Sequence, residues 1–156
     1  MKIRIVCVGK VKESYFSDGI AEYLKRLTRF AKVEIIEVKE ENFAQDPSFA
    51  EMEKIKEKEG ASILKSLKGH VVALCVEGKQ CSSEALAEKI AKIRDSVGEL
   101  TFVIGGSYGL ADEVKKQAAE KLSFSQMTFP HTLMRLIFTE QLYRAFMIDA
   151  GSTYHK

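Results

Sequence analysis

Residues 102–104 are Phe-Val-Ile, and the next five are Gly-Gly-Ser-Tyr-Gly. A short apolar run of this kind reads as a buried strand, and here it empties directly into a glycine loop. Glycines placed just after a strand let the main chain come close to a ligand. In an open α/β sheet, ligands sit beyond the carboxyl ends of the strands. The loop at 105–109 is therefore the candidate site. An ordinary strand-to-helix turn is the alternative, because a glycine cluster alone is a weak signal.

The rest of the chain supplies a matching scaffold. Residues 3–8, 33–38, 71–76 and 100–104 read as strands, and 122–125 as a short fifth. Between them, apolar spacing predicts helices over 15–30, from 47 onward, over 83–97 and over 111–121. Asp46-Pro47 reads as a helix start, with Asp46 as N-cap and Pro47 at the first helical position. That helix should bury Phe49, Met52, Ile55, Ile63, Leu64 and Leu67 and turn its Glu and Lys residues to solvent, with Gly60 as a candidate interruption. Ser82 or Ser83 should cap the next helix, which turns Leu86, Ile90, Ile93 and Val97 inward. A last helix, 131–150, is stopped by Gly151 and followed by a polar tail. Strands alternating with helices predict an α/β fold with a mainly parallel sheet. With no linker or repeat, residues 1–156 read as one domain.

Residues 133–148 leave little polar surface. A helix apolar nearly all round needs cover on several sides. Two arrangements meet that need: a homodimer built on this helix, or a helix buried at the centre of its own domain. The dimer is the favoured expectation.

A formal net charge of +2 is too small for a protein that coats nucleic acid by charge alone. Any nucleic-acid partner must be read by shape or at a specific site. Cys7, Cys75 and Cys81 form no CxxC pair, so neither a disulfide framework nor a zinc ribbon is expected. Cys7 and Cys75 read as core thiols. His70, His131 and His155 lack metal-ligand spacing, so no metal is expected. No signal-peptide pattern and no membrane-length apolar run occur, and a reducing cytoplasm is the expected compartment. GxGxxG after the first strand, the Walker A sequence and GxSxG are all absent.

The combination that remains is specific. Ile-Gly-Gly-Ser-Tyr-Gly-Leu ends a late strand. Leu-Ser-Phe-Ser-Gln-Met-Thr-Phe-Pro-His follows, then a helix bearing Glu140-Gln141-Leu142-Tyr143-Arg144-Ala145, then Tyr154-His155-Lys156. With the opening Val-Gly-Lys-Val-Lys-Glu and the run Lys56-Glu57-Lys58-Glu59-Gly60, the whole chain resembles the RlmH family. These are small SPOUT-type methyltransferases that modify pseudouridine in large-subunit ribosomal RNA.

The resemblance implies a SPOUT fold with a C-terminal deep trefoil knot, a homodimer as the active unit, and S-adenosylmethionine as cofactor. Carried over by position, the cofactor site would be Leu74, Gly105 and the segment Phe124, Ser125, Gln126, Met127, Thr128 and Phe129. Leu74, Phe124, Met127 and Phe129 would wall an adenine slot, while loop backbone reads the base edge. The implied reaction is methyl transfer to N3 of a pseudouridine on the ribosome. His155, in a polar tail and able to titrate near neutrality, is the candidate base; water or the substrate's own ionisation are alternatives. Arg144 would steady the developing anion or grip a phosphate. Tyr143, Tyr154 and Lys156 would meet the RNA, with Lys10, Lys12, Arg26, Arg29, Arg135 and Arg144 as a candidate contact face. The competing readings are a non-catalytic ligand- or RNA-binding module and a SPOUT enzyme acting on transfer RNA.

Overall fold

The computed structural model describes residues 1–42 and 45–155. Five strands, β1 (Lys2–Val8), β2 (Lys32–Val38), β3 (His70–Gln80), β4 (Glu99–Ile104) and β5 (Glu120–Ser123), form one sheet in the order β2-β1-β4-β3-β5. Every pairing is parallel. Parallel neighbours need long crossovers. These are α1 (Ser14–Leu27), α2 (Phe49–Leu64), α3 (Ser83–Ser96) and α4 (Asp112–Gln117); α5 (His131–Asp149) and a 3₁₀ turn (Thr153–His155) end the chain. The expected α/β architecture is the one observed.

The period-2 alternation of the strands sorts side chains onto two faces. Ile3, Ile5, Cys7, Leu100, Phe102 and Ile104 point to one, where α1, α3 and α5 cover them. Val6, Val8, Val71, Ala73 and Val103 point to the other, beneath α2 and α4. Burial pushes the Cys7 thiol up to about 12, which fits a core thiol.

Helix α5 packs against both α1 and α3. Phe138, Leu142, Ala145 and Phe146 are buried beneath it, and the Phe138 ring lies 4.5 Å from that of Phe102. Each of the three larger side chains, Phe138, Leu142 and Phe146, contributes roughly 1.5–3 kcal/mol on burial. Its other side is only half-buried at Leu133, Ile137, Met147 and Ile148. Packing inside the domain thus accounts for one side of this apolar helix and leaves the other only partly covered.

Arg135 departs from expectation. It does not face RNA but is 2% exposed beneath α5. Its guanidinium donates to Glu37 Oε1 at 2.7 Å, to Gly9 O at 3.0 Å and to Val8 O at 3.3 Å. A buried cation needs this pairing. It ties the start of α5 to the carboxyl ends of β1 and β2.

Local boundaries moved for identifiable reasons. Ser48, not Asp46, caps α2: its Oγ accepts from the Glu51 N–H, and Glu51 returns a carboxylate to the Ser48 N–H at 2.7 Å. This reciprocal box outweighs the Pro47 signal. Phe49 is consequently 75% exposed instead of inward. Val97 ends α3 as its C-cap and is also exposed. Gly60 does not interrupt α2; it is buried where an added Cβ would lie 2.9 Å from that of Ala111. Ser82 is the cap of α3.

Strand β3 runs on past Val76. Leu122 of β5 pairs first with Leu74 and again with Lys79, so the residues between bulge away from the ladder. The two backbones cross so closely at Gly78 that a Cβ there would fall 2.6 Å from the Leu122 carbonyl carbon. Only glycine fits that crossing. The bulge carries Cys75, Val76 and Glu77 to the carboxyl edge of the sheet, where they wall a cleft.

Candidate functional site

The cleft lies where β3, β4 and β5 end and has a volume of about 300 Å³. That is the low end for small-ligand sites. One wall is the bulge of β3 with Leu74. A second is the loop 105–110, closed on itself by a bridge between Gly106 and Gly109. The third is the segment after β5, where the Ser123 hydroxyl donates to Ser125 O and the Ser125 hydroxyl accepts from the Met127 N–H at 2.9 Å. These bonds hold 123–129 in a turn that presents Phe124, Ser125, Met127, Thr128 and Phe129 to the cavity.

The residues expected at a cofactor site therefore converge, with one exception. Leu74, Gly105 and those five line the cleft; Gln126 is exposed and does not. Sequence reasoning missed Lys56, Cys75, Val76, Glu77 and Lys115, which also line it. The Lys115–Glu77 ion pair closes one rim, and Lys56 pairs with Glu53 at 2.5 Å. The pair with Lys115 holds the Glu77 carboxyl below its ordinary value. Met127 is 75% exposed and Phe129 39%, so large apolar groups stand at the mouth with nothing from the chain over them.

The lining suits S-adenosylmethionine. Leu74, Ile104, Leu122 and Phe124 form apolar walls for a flat base, and two irregular backbone segments offer polar groups at its edge. At Gly105 a Cβ would lie 2.7 Å from the Gly109 carbonyl carbon, so the loop closes tightly only because that atom is missing. Among the described residues no cluster of three metal-ligating side chains occurs, and no helix is long and apolar enough to cross a membrane.

Beneath the loop lies Glu59, which the sequence had placed on a solvated face. It is 3% exposed, accepts from the Glu41 N–H at 3.2 Å, and would stand 3.0 Å from a Cβ on Gly106. Burial raises its carboxyl from 4.5 to about 7, with nearby Glu40 and Glu41 adding to the effect and the Glu41 N–H opposing it. The folded protein thus holds this proton more tightly than the unfolded chain. Stability from this group is present at low pH and falls as pH rises from about 4.5 to 7. Glu59→Gln keeps the acceptor and removes the ionisation. Urea unfolding should show it more stable than wild type at pH 8 by up to about 3 kcal/mol, and equal near pH 4. An equal gain at both pH values would contradict the assignment.

The residues expected to act on substrate gather elsewhere. Arg144 donates to Glu140 at 2.5 Å and lies 4.9 Å from the centre of the Tyr154 ring. Tyr154 donates to Glu140 at 3.2 Å and meets Tyr143 edge-on at 5.0 Å. Burial, then Tyr23 and Glu140, push the Tyr154 phenol upward, so it remains a donor. His155 Nε2 sits 2.6 Å from Glu84 at the start of α3. The Glu84 backbone N–H and that ring hold the Glu84 carboxyl down at about 2. The tail is thus folded back over α5, and none of these four residues lines the cleft of its own chain. Lys156 lies outside the described residues. Arg26, 5.8 Å from the Tyr143 ring, borders this cluster, whereas Lys10 and Lys12 lie beyond the carboxyl end of β1, so the expected cations do not form one face.

Comparison with known proteins agrees with this architecture. A family model described as "Predicted SPOUT methyltransferase" matches residues 1–155. Proteins named ribosomal RNA large subunit methyltransferase H from Lacticaseibacillus casei and Streptococcus uberis are 54% and 52% identical, over 100% of both chains in each case. A solved structure of a probable methylase family protein from Haemophilus influenzae Rd KW20 superposes with a TM-score of 0.54 over 99% of this chain and 70% of that one. At 14% identity that likeness speaks for the fold alone. The chain belongs to the SPOUT methyltransferase family, alongside the proteins named ribosomal RNA large subunit methyltransferase H.

Proposed function

We propose that this protein is a cytoplasmic homodimer that transfers the methyl group of S-adenosylmethionine to N3 of a pseudouridine in large-subunit ribosomal RNA, on the assembled ribosome. One observation carries the reading: an adenosine-sized cleft, walled by the glycine loop and the turn after β5, in a chain about half identical to proteins bearing that name. The cofactor, when bound, supplies an activated methyl on a sulfonium. The chain's task is then alignment and handling of the N3 proton. Leu74, Gly105 and the 124–129 turn orient the donor, and alignment alone supplies several kcal/mol. Met127 and Phe129 exclude water once the mouth is covered.

The tail residues act in this reading across a dimer. The half-buried apolar side of α5 meets its counterpart, and Arg144, Tyr143, Tyr154 and His155 reach the partner's cleft. There His155 takes the N3 proton after leaving Glu84, and Arg144 steadies the anion. Residues beyond β5 thread the loop between β3 and β4 to make the trefoil knot. That is in keeping with β5 lying beyond β3 rather than beside β4. An experimental backbone trace that unties when its ends are drawn apart would overturn the knot.

The test of the function is mass mapping of ribosomal RNA from cells with and without the protein. One 14-dalton increment on a single pseudouridine, restored by purified protein with S-adenosylmethionine, is the expected result (the increment being one CH₂, roughly 14 Da for any methylation). Ligand binding with unmodified ribosomes would favour a non-catalytic binding module instead.

A further inference from the structure

A second cavity, of about 430 Å³, adjoins the cleft, and Gly106, Ser107, Phe129 and His131 line both. It opens between the loop that leaves β1 and the loop that leaves β4, which are neighbours in the sheet. From β1 the chain turns through α1 toward β2. From β4 it turns through α4, on the opposite face, toward β5. Adjacent strands whose connections diverge leave a crevice at their carboxyl ends, and such switch points are where α/β sheets take ligands.

The chemistry of the second cavity differs from that of the first. Lys10 and Lys12 are exposed and make no ion pair among the described residues. Glu13, between them and α1, is half-buried, and its Oε2 is buried without a hydrogen-bond partner. It holds the N-cap position of α1 yet makes no capping bond. Buried carboxylate oxygens are ordinarily satisfied, so this one is an acceptor lacking its donor. Glu40 forms the far wall, 3.8 Å from His131 Nε2. Free cations stand at the rim and an unmet acceptor lies within.

We infer that this cavity seats the nucleotide to be methylated: Glu13 accepts an N–H of the base, and Lys10 and Lys12 hold the flanking phosphates of a single-stranded RNA segment. The inference rests on the methyltransferase reading for the identity of its ligand. Pseudouridine carries two ring N–H groups, so one can bond a carboxylate while N3 reacts; the RNA backbone suits ammonium groups of the lysine type. Gly106, Ser107, Phe129 and His131 form the rim common to both cavities, and over that rim N3 of the seated base faces the cofactor cleft.

Two variants test it in the full-length protein. Lys10→Ala/Lys12→Ala should bind large ribosomal particles about tenfold or more weakly in filter binding. The slope of log affinity against log salt should fall by about 1 to 2. Its affinity for S-adenosylmethionine by calorimetry should match wild type. Glu13→Ala should melt as wild type does, because no capping bond is lost. It should bind cofactor normally and lose about 10- to 100-fold in kcat/KM for methyl transfer, with Glu13→Gln recovering part of the loss through its amide oxygen. Unchanged particle affinity and salt slope in the lysine variant, or full turnover by Glu13→Ala, would overturn the seat. The binding arm needs no turnover, so it decides the seat even where wild type transfers no methyl group, an outcome that sinks the parent reading alone.

Discussion

Gly105→Val is expected to weaken S-adenosylmethionine binding at least about 100-fold, or roughly 2.7 kcal/mol. A Cβ at this position would lie 2.7 Å from the Gly109 carbonyl carbon and 2.8 Å from its oxygen. Both are main-chain atoms, so no side-chain rotation relieves the conflict. The bridge between Gly106 and Gly109 must open, and with it goes the wall that faces Leu74 and Phe124. Strand β4 itself is buried between β1 and β3 and should survive. Circular dichroism establishes that the variant is folded, and calorimetry reads the affinity. Gly105→Ala, with one carbon added, should show an intermediate loss. A folded Gly105→Val protein with wild-type affinity would remove the glycine loop from the cofactor site.

Removal of residues 153–156 is expected to leave cofactor affinity nearly unchanged and to lower methyl transfer to ribosomes by roughly 10²-fold, the scale of a lost general base. The first half follows from position: neither Tyr154 nor His155 lines the cleft. The second half depends on the tail serving the partner's cleft. Arg144→Ala should also lose activity, since it frees Glu140 from its ion pair and uncovers the Tyr154 ring. A mixing experiment isolates the dimer. Gly105→Val protein keeps its tail and lacks a cofactor site; the truncated protein has the reverse defect. If sites are shared across subunits, the mixture regains activity that neither component has. No recovery in a mixture shown to exchange subunits, or full turnover by the truncated protein, would leave the tail as a merely structural end.

Much of the scaffold is legible in the sequence because buried parallel strands are written as apolar runs. Ile3, Ile5, Leu100, Phe102 and Ile104 announce themselves this way, and the glycines after Ile104 mark the edge where the cleft opens. What escaped were polar residues whose environment is made by distant segments. Glu59 looks like one more charge on a Lys/Glu-rich helix until Gly106 and Glu41 close over it. Arg135 carried a readable signal, a lone cation between Met134 and Leu136 in an apolar helix, but its partners lie about a hundred residues earlier. The cap at Ser48 is also written in the sequence, as Ser-x-x-Glu, beside the competing Asp46-Pro47 signal. The β3 bulge, and so the placement of Cys75 to Glu77, depends on where Leu122 crosses Gly78, which no local pattern encodes.

Arg135 also has a bearing on how the protein is made. The first strand is not an edge: it lies between β2 and β4, its Lys2 N–H bonds to Gly98 O, and the carbonyls of Val8 and Gly9 wait for a guanidinium 126 residues or more downstream. A ribosome synthesising this chain therefore releases its opening strand long before that strand's partners exist. Until β4 emerges, β1 can pair only with β2, and an unpaired flank of apolar strand is a template for aggregation. Completion waits for α5, so the native state forms only once that helix has emerged. Such long-range closure predisposes the chain to slow folding.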